Sequence, residues 1–366
     1  MQIPNLKLVF VLLGLMITQL CFAQYQIQVL DSNTFNLGEG VVLSKTSFRG
    51  LSVVDDNTIW VSGSRGTFAR SVDGGKTFTY TQLKGYEKSD FRDIEAFDDK
   101  RAVMMSSGTP AYILKTIDGG LTWKEVYKNT DSAYFLDAMD FWDEQRGILV
   151  GDPINGHFVL LETNNGGETW QELDTTKTPH AMEGEAVFAA SGTSLRCWGK
   201  NEFGFVTGGS KSRLFLMKRG SKAKEEYHIK ISQGNSSSGT FSFARSRFLW
   251  LFAGGDYLRD TSINDANFYY CNTLANKDCS ISTLENLNGY KSCIEVISDS
   301  KSKYGDPIII ATGTSGTQIG KRVCSYIDTF FSYSNFREPF HVVRKAKKGN
   351  AVFLAGPKGK IGKLVN

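Results

Sequence analysis

From Gln24 onward the chain alternates short apolar runs with glycine-containing turns, and no stretch carries its apolar residues at helical spacing. Such a pattern predicts an all-β sandwich, barrel or propeller. A longer period sits on top of it. A run that opens on an aromatic or small residue and enters an apolar strand recurs at 48–53, 91–96, 135–140, 184–188, 239–243, 290–294 and 340–343. Successive starts lie 43, 44, 49, 55, 51 and 50 residues apart, the length of one four-stranded blade. A second strand ending in glycine follows every time, at 58–63, 102–108, 147–151, 203–209, 248–255, 308–313 and 351–356. The period predicts one seven-bladed β-propeller across 24–366, with 193–201 and 232–238 read as loops.

The turn after the third strand is the most regular feature. Ser71-Val72-Asp73-Gly74-Gly75-Lys76-Thr77-Phe78 returns at 116–123 and 163–170, where Asp118 and Asn165 replace Asp73. An Asp or Asn side chain folds back onto nearby backbone N–H groups, and the glycines reach the positive φ that such a turn requires. Phe78, Trp123 or Trp170 then starts the next strand with a large group to bury. Later units place 218–222 and 272–278 where the motif should be, while the strand pattern persists. A turn replaced so readily is a structural device, so Asp73, Asp118 and Asn165 are assigned no chemistry. The seventh unit supplies three strands, 340–344, 351–354 and 361–365. Residues 25–30 have the aromatic-led alternation of the strands that follow the motif. They are predicted to complete the last blade and close the ring, removing its exposed edges.

The three turns resemble the Asp-box, or BNR, repeat of sialidase-like and related β-propellers. The inner runs extend the likeness. Phe48-Arg49-Gly50-Leu51, Asp90-Phe91-Arg92-Asp93-Ile94-Glu95-Ala96-Phe97 and Leu136-Asp137-Ala138-Met139-Asp140-Phe141-Trp142-Asp143 resemble the photosystem II assembly factor-like (Ycf48-like) group. Gly151-Asp152-Pro153, 184–193, Gly254-Gly255-Asp256-Tyr257 and Gly289-Tyr290-Lys291-Ser292 add to it. The nearer likeness is to exported bacterial members that carry the label oxidoreductase. The resemblance spans nearly all of 24–366 and implies a seven-bladed propeller without a defined activity. No dinucleotide glycine fingerprint, paired CxxC or haem motif supports that label, so no cofactor is expected.

Composition narrows the picture only a little. Hydrophobic residues at 41%, charged residues at 22% and 37 glycines suit a turn-rich globular chain. A net charge of +4 indicates no nucleic-acid partner, and the basic run Arg344-Lys345-Ala346-Lys347-Lys348 reads as a solvated loop. Lys7, an apolar run at 8–17 and the small-residue site at 21–23 read as a secretory signal peptide over 1–23, cleaved after Ala23. The mature chain is therefore expected to be secreted or periplasmic. No later stretch suits a transmembrane helix, and nothing indicates an oligomer. Leu20 is too bulky to precede a lipidated Cys21. Five cysteines then remain; Cys271–Cys279 and Cys293–Cys324 are the expected disulfides, leaving Cys197 over. Asn235-Ser236-Ser237 is a glycosylation sequon.

Function is sought where the inner strands open onto the central channel. The repeat register puts Arg49, Arg92, Leu136, Glu185, Thr240, Lys291 and His341 at equivalent positions, with Asp93 and Asp137 one residue on. Three basic groups at one mouth suit an anionic or carboxylate-bearing ligand, which arginine grips bidentately. The alternative is an internal network in which Arg49 and Arg92 pair with Glu185, Asp93 or Asp137. Asp152 and Asp256 read as turn formers near the opposite or outer ends. His157, His180, His228 and His341 share no metal spacing with the cysteines, so no metal is expected. No catalytic residue is assigned. The leading reading is a binding or assembly scaffold for a protein partner or an anionic or carbohydrate ligand. The other is an exo-acting, sialidase-like glycoside hydrolase using Glu185, Asp137, Asp152 or Asp256, although arginine fills only two of the equivalent positions.

Overall fold

Seven antiparallel sheets stand around one axis in the computed structural model, which describes residues 25–222, 224–246, 249–262, 268–271, 289–298, 307–324 and 329–365. The inner strands touch one another in sequence order, and the last returns to the first, so the chain is a closed seven-bladed β-propeller. From the axis outward, blade 1 comprises Phe48–Val53, Ile59–Gly63, Thr67–Ser71 and Thr79–Gln82. Blade 2 begins with Asp90–Ala96, blade 3 with Leu136–Phe141, blade 4 with Leu195–Trp198, blade 5 with Ser238–Ser246, blade 6 with Cys293–Ser298 and blade 7 with Val342–Lys345.

Closure is made by the amino-terminal strand. Gln26–Val29 pairs antiparallel with Ile361–Val365 and becomes the outer strand of blade 7. The ring is thereby latched by hydrogen bonds between the two ends of the chain. Asn36–Leu37 then runs parallel to Thr79–Gln82 and adds a fifth strand to blade 1.

Packing between blades holds the ring together. Apolar clusters fill the junctions, and one of them runs continuously from blade 6 through blade 7 to blade 1. Trp60 and Phe68 of blade 1 meet Met104 and Trp123 of blade 2, and Phe158 of blade 3 meets Phe205 and Phe215 of blade 4. Fully burying one such side chain is worth ~1.5–3 kcal/mol. Near the axis, where strands of neighbouring blades do not form a ladder, polar side chains take over. Ser52 accepts the Ala96 N–H at 3.0 Å, Asp93 that of Met139 at 2.8 Å, Asp140 that of Cys197 at 2.6 Å and Ser242 that of Ile294 at 3.0 Å. These bonds satisfy backbone donors that would otherwise be buried without partners.

The repeated turns work as the sequence suggests, and they also join blades. Asp73 accepts from Thr77 N and from Thr77 Oγ1 at 2.6 Å; Asp118 does the same with Thr122, and Asn165 accepts Thr169 N at 3.0 Å. For Asp118 the Thr122 hydroxyl and amide bonds hold the carboxyl down to about 2. The second glycine of each turn abuts the preceding blade. A Cβ on Gly120 would lie 2.6 Å from the Phe68 ring, one on Gly75 2.7 Å from Phe353, and one on Gly167 2.7 Å from Val103. Only glycine allows that approach at φ near +85°.

The structure corrects four expectations. Residues 184–188 do not form the inner strand of blade 4; Leu195–Trp198 does, inside the stretch read as a loop. Glu185–Ala186 instead pairs with Gly208–Gly209 in a short ribbon joined to blade 5. The basic run is a solvated loop only in part: Arg344 and Lys345 end the inner strand of blade 7, while Lys347 and Lys348 lie exposed beyond it, with Lys347 bonding Glu95 at 2.5 Å. Cys293 is a free, buried thiol whose Sγ accepts the Val343 N–H at 3.4 Å. Its register partner Thr312 faces Thr317, seven residues along the strand from Cys324, roughly 23 Å at ~3.3 Å per residue, so no Cys293–Cys324 disulfide forms. The signal segment and the Cys271–Cys279 pair lie outside the described residues.

Candidate binding cavity at the channel mouth

The channel is not open. After the ribbon, the chain crosses the axis as Ala189-Ala190-Ser191-Gly192-Thr193 and blocks it. Small side chains fit that narrow space. Ser191 Oγ donates to Ser292 O at 2.7 Å, Thr193 Oγ1 bonds Ser242 Oγ at 2.6 Å, and Arg344 donates to Gly192 O at 3.3 Å. Gly192 sits at φ +66°, where a Cβ would lie 2.3 Å from the Asp93 carboxyl. The crossing segment therefore touches blades 5, 6 and 7 on one side and blade 2 on the other.

Above this plug lies a cavity of about 490 Å³, within the ~300–1,000 Å³ typical of small-ligand clefts. Its walls differ around the ring. Blades 1 and 2 contribute Arg49 and Arg92, blade 3 contributes Asp137 and Asp152, blade 7 contributes His341, and Phe241, Tyr257 and Tyr290 form an aromatic wall. Phe188 stacks on Phe241 at 3.9 Å between ring centres. The residues aimed inward sit at β-bulges. Pairing skips from Phe48 to Gly50, from Phe91 to Asp93, from Leu136 to Ala138 and from Thr240 to Ser242. Arg49, Arg92, Asp137 and Phe241 are the unpaired extra residues, which a bulge turns out of the ladder.

The two arginines are differently engaged. Arg49 is largely enclosed, donates to Ala190 O at 3.3 Å and has no ion pair among the described residues. Burial and the neighbouring Arg92 charge lower its pKa, though arginine stays protonated. Arg92 donates to Ala189 O at 3.2 Å and pairs with Asp90 at 2.8 Å. Burial, and then Arg49 and Arg92, push His341 down to about 3, so it is neutral here. Asp137 is fully buried, and burial followed by the nearby Asp152 pushes its carboxyl well above the usual range. The Ala189 and Asp152 amides lie close enough to oppose that rise, yet neither carboxylate oxygen has a hydrogen bond of normal geometry. Burial raises Asp152 to about 6, opposed by the Val187 N–H at 3.0 Å.

Arg49, Arg92, Asp137 and His341 thus come together, whereas Asp93, Glu185 and Lys291 do not. Asp93 lies beneath the plug, its oxygens taken by the Ile94 and Met139 amides, and burial raises its pKa strongly. Glu185 is held by Arg213 in a two-pronged ion pair, by the Thr207 hydroxyl at 2.6 Å and by the Met182 amide at 2.9 Å. Lys291 is turned away and donates to Ser315 at 2.6 Å, with burial lowering it to about 7. Leu136 and Thr240 are likewise paired strand residues; the bulges turn Asp137 and Phe241 to the cavity instead. Asp152, read as an outer turn former, is a cavity residue. Asp256 does cap a turn, accepting Leu258 N at 3.0 Å and pairing with Arg259. Among the described residues no cluster of three or more potential ligands could hold a metal ion, and no helix is long and apolar enough to cross a membrane. His157 and His180 do meet, ring centres 5.2 Å apart, but away from this cavity.

Comparison with known proteins agrees with the class just described, a seven-bladed Asp-box propeller. The family model described as photosynthesis system II assembly factor YCF48 matches residues 87–190, which carry Arg92, Asp137, Asp152 and the start of the plug. The resemblance to Ycf48-like propellers is therefore supported by a stretch that includes half of the cavity wall. Among solved structures, "YCF48 bound to D1 peptide" is similar at TM-score 0.61 and 13% identity, covering 94% of this chain and 96% of that one. YCF48 from Cyanidioschyzon merolae is similar at TM-score 0.57 and 11% identity, covering 92% and 98%. The Pan2 WD40 domain of Neurospora crassa follows at 0.56 and 11%, covering 87% and 88%. At such identities these matches report the fold. A curated relative, vacuolar protein sorting/targeting protein 10 of Pyricularia oryzae, is 27% identical over 183 residues; the match spans 48% of this chain and 12% of that protein's length.

Proposed function

We propose that this propeller is a non-catalytic binding or assembly scaffold that holds a carboxylate-bearing segment of a partner protein in the cavity above the plug. The observation that carries this reading is the pair Arg49 and Arg92, placed on adjacent blades and facing one cavity, with Arg49 free of any ion pair among the described residues. Two guanidinium groups converging on one space make a bidentate carboxylate grip. The plug gives them a floor, since the Ala189 and Ala190 carbonyls hold each guanidinium in place. A YCF48 of similar fold has been solved bound to D1 peptide, which supports a peptide ligand here. The apolar segment at 8–17 supports an exported scaffold. The hydrolase reading loses Glu185, which is committed to Arg213.

The test is calorimetric binding of the peptide acetyl-Ala-Phe-Gln-Ala as free acid and as terminal amide. Wild type should prefer the acid by about tenfold or more, in line with one lost charge-assisted hydrogen-bonded pair. The Arg49→Ala/Arg92→Ala double variant should show no preference. Equal binding of acid and amide by wild type would overturn the reading.

A further inference from the structure

The acid side of the cavity has no part in a carboxylate grip. Asp137 is fully buried and lines the cavity, and neither carboxylate oxygen makes a hydrogen bond of normal geometry, although the Ala189 and Asp152 amides lie near. A buried polar group in that condition is costly, and ligand sites are where proteins retain one. Asp152, from the second strand of the same blade, lines the same wall with one oxygen held by Val187 N–H. Phe188 and Phe241 line the same cavity, with Tyr290 edge-on to Phe241 at 4.7 Å. Acids and aromatic rings lining one cavity suit an organic cation, which takes hydrogen bonds from the first and ring contacts from the second.

We propose that Asp137 and Asp152 form a cation subsite beside the arginine pair, so that the cavity selects a peptide end carrying a carboxylate and a neighbouring lysine ammonium. The inference rests on the carboxylate reading above and sharpens it. Charge balance favours it. An anion alone would satisfy Arg49 and Arg92 while leaving two acids facing it, whereas a ligand with both charges meets both walls. The other titratable groups lining the cavity are Arg49, Arg92, His341, Tyr257 and Tyr290; Asp90 is already paired with Arg92, and His341 is neutral. Burial raises both carboxyls, Asp152 to about 6, and an arriving ammonium stabilises their ionised forms. Binding therefore releases protons from the two carboxyls to solvent.

The full chain is titrated with acetyl-Ala-Phe-Lys-Ala and acetyl-Ala-Phe-Gln-Ala, both as free acids, near pH 6. Two buffers of different ionisation enthalpy report proton release. The lysine peptide should bind about tenfold tighter and release protons that the glutamine peptide does not. In Asp137→Asn/Asp152→Asn both differences should vanish while the preference for acid over amide remains. Should the double variant fail to fold, Asp152→Asn alone must reduce the lysine preference. Equal binding of the two free acids by wild type, or a lysine preference that survives the Asp152→Asn change, overturns the cation subsite and leaves the carboxylate grip standing. Loss of the acid-over-amide preference in wild type overturns both.

Discussion

Blades 1 to 3 and blade 4 each have to seat themselves against the blade before, and they do it by opposite means. In the first three, the outer turn removes a side chain: Gly75, Gly120 and Gly167 bring bare backbone against Phe353, Phe68 and Val103 of the preceding blade. In blade 4 the turn adds one. Arg219 reaches back to bond Asn164, pairs with Glu162 at 3.5 Å and lies over the Trp142 ring at 5.9 Å. Gly220 in that turn also has positive φ, but nothing lies within 4 Å of where its Cβ would be. A positive-φ glycine in this place can thus be kept for two reasons, conformation alone or conformation plus close approach. The difference explains why the motif can disappear without loss of the blade.

The largest expected effect separates those two reasons. Gly120→Ala adds left-handed strain and a clash with Phe68, and should cost about 2–4 kcal/mol in urea unfolding, whereas Gly220→Ala carries strain alone, about 1 kcal/mol. Equal losses would mean that the approach to the preceding blade contributes nothing.

The second contrast lies around the cavity, between its acid wall on blade 3 and its aromatic wall. Asp152 has a folded-state pKa of about 6 against ~3.9 unfolded. Its neutral form is the one the fold favours, so its contribution is full below pH ~4 and is lost as pH rises through about 6. Asp152→Asn should gain on wild type by about 1–2 kcal/mol between pH ~4 and ~7, after discounting for its partial exposure. Melting curves across that range check this; a difference that does not widen with pH would show that the carboxylate is accommodated without strain.

The smallest effect tests blade 4 directly. Arg219→Ala should cost about 1 kcal/mol, since its partners are partly screened and much of its role is packing over Trp142. An unchanged midpoint would show that this blade seats through its apolar cluster alone.

The period, the seven blades and the amino-terminal latch were legible because each rests on local chemistry that repeats. Asp73, Asp118 and Asn165 fold onto backbone four residues on, and such turns write the same letters each time. Arg49 and Arg92 were legible too, since Phe48 and Phe91 mark their strands clearly. Register elsewhere was not. Starting blade 3 at Phe135 put Leu136 inward, when Leu136 is the paired residue and Asp137 the bulge. The same slip chose Thr240 over Phe241, and the repeat pattern likewise chose Lys291 over Tyr290. A one-residue shift moves every side chain to the other face, and a bulge leaves no mark in an apolar pattern.

The amino-acid sequence by itself therefore determined the repeat, the turns and the closure, because these depend on residues near one another in the chain or on a spacing repeated along it. Tertiary structure alone decided what fills the channel. Residues 184–188 read as a strand, yet the chain around them leaves the sheet and Ala189–Thr193 crosses the axis, where small residues fit among Ser242, Ser292 and Arg344. That crossing needs partners from five blades at once, contributed by residues as far as 152 positions away. No local pattern encodes such a meeting, and it is the meeting that turns an open tunnel into a floored cavity with arginines on one wall and acids on the next.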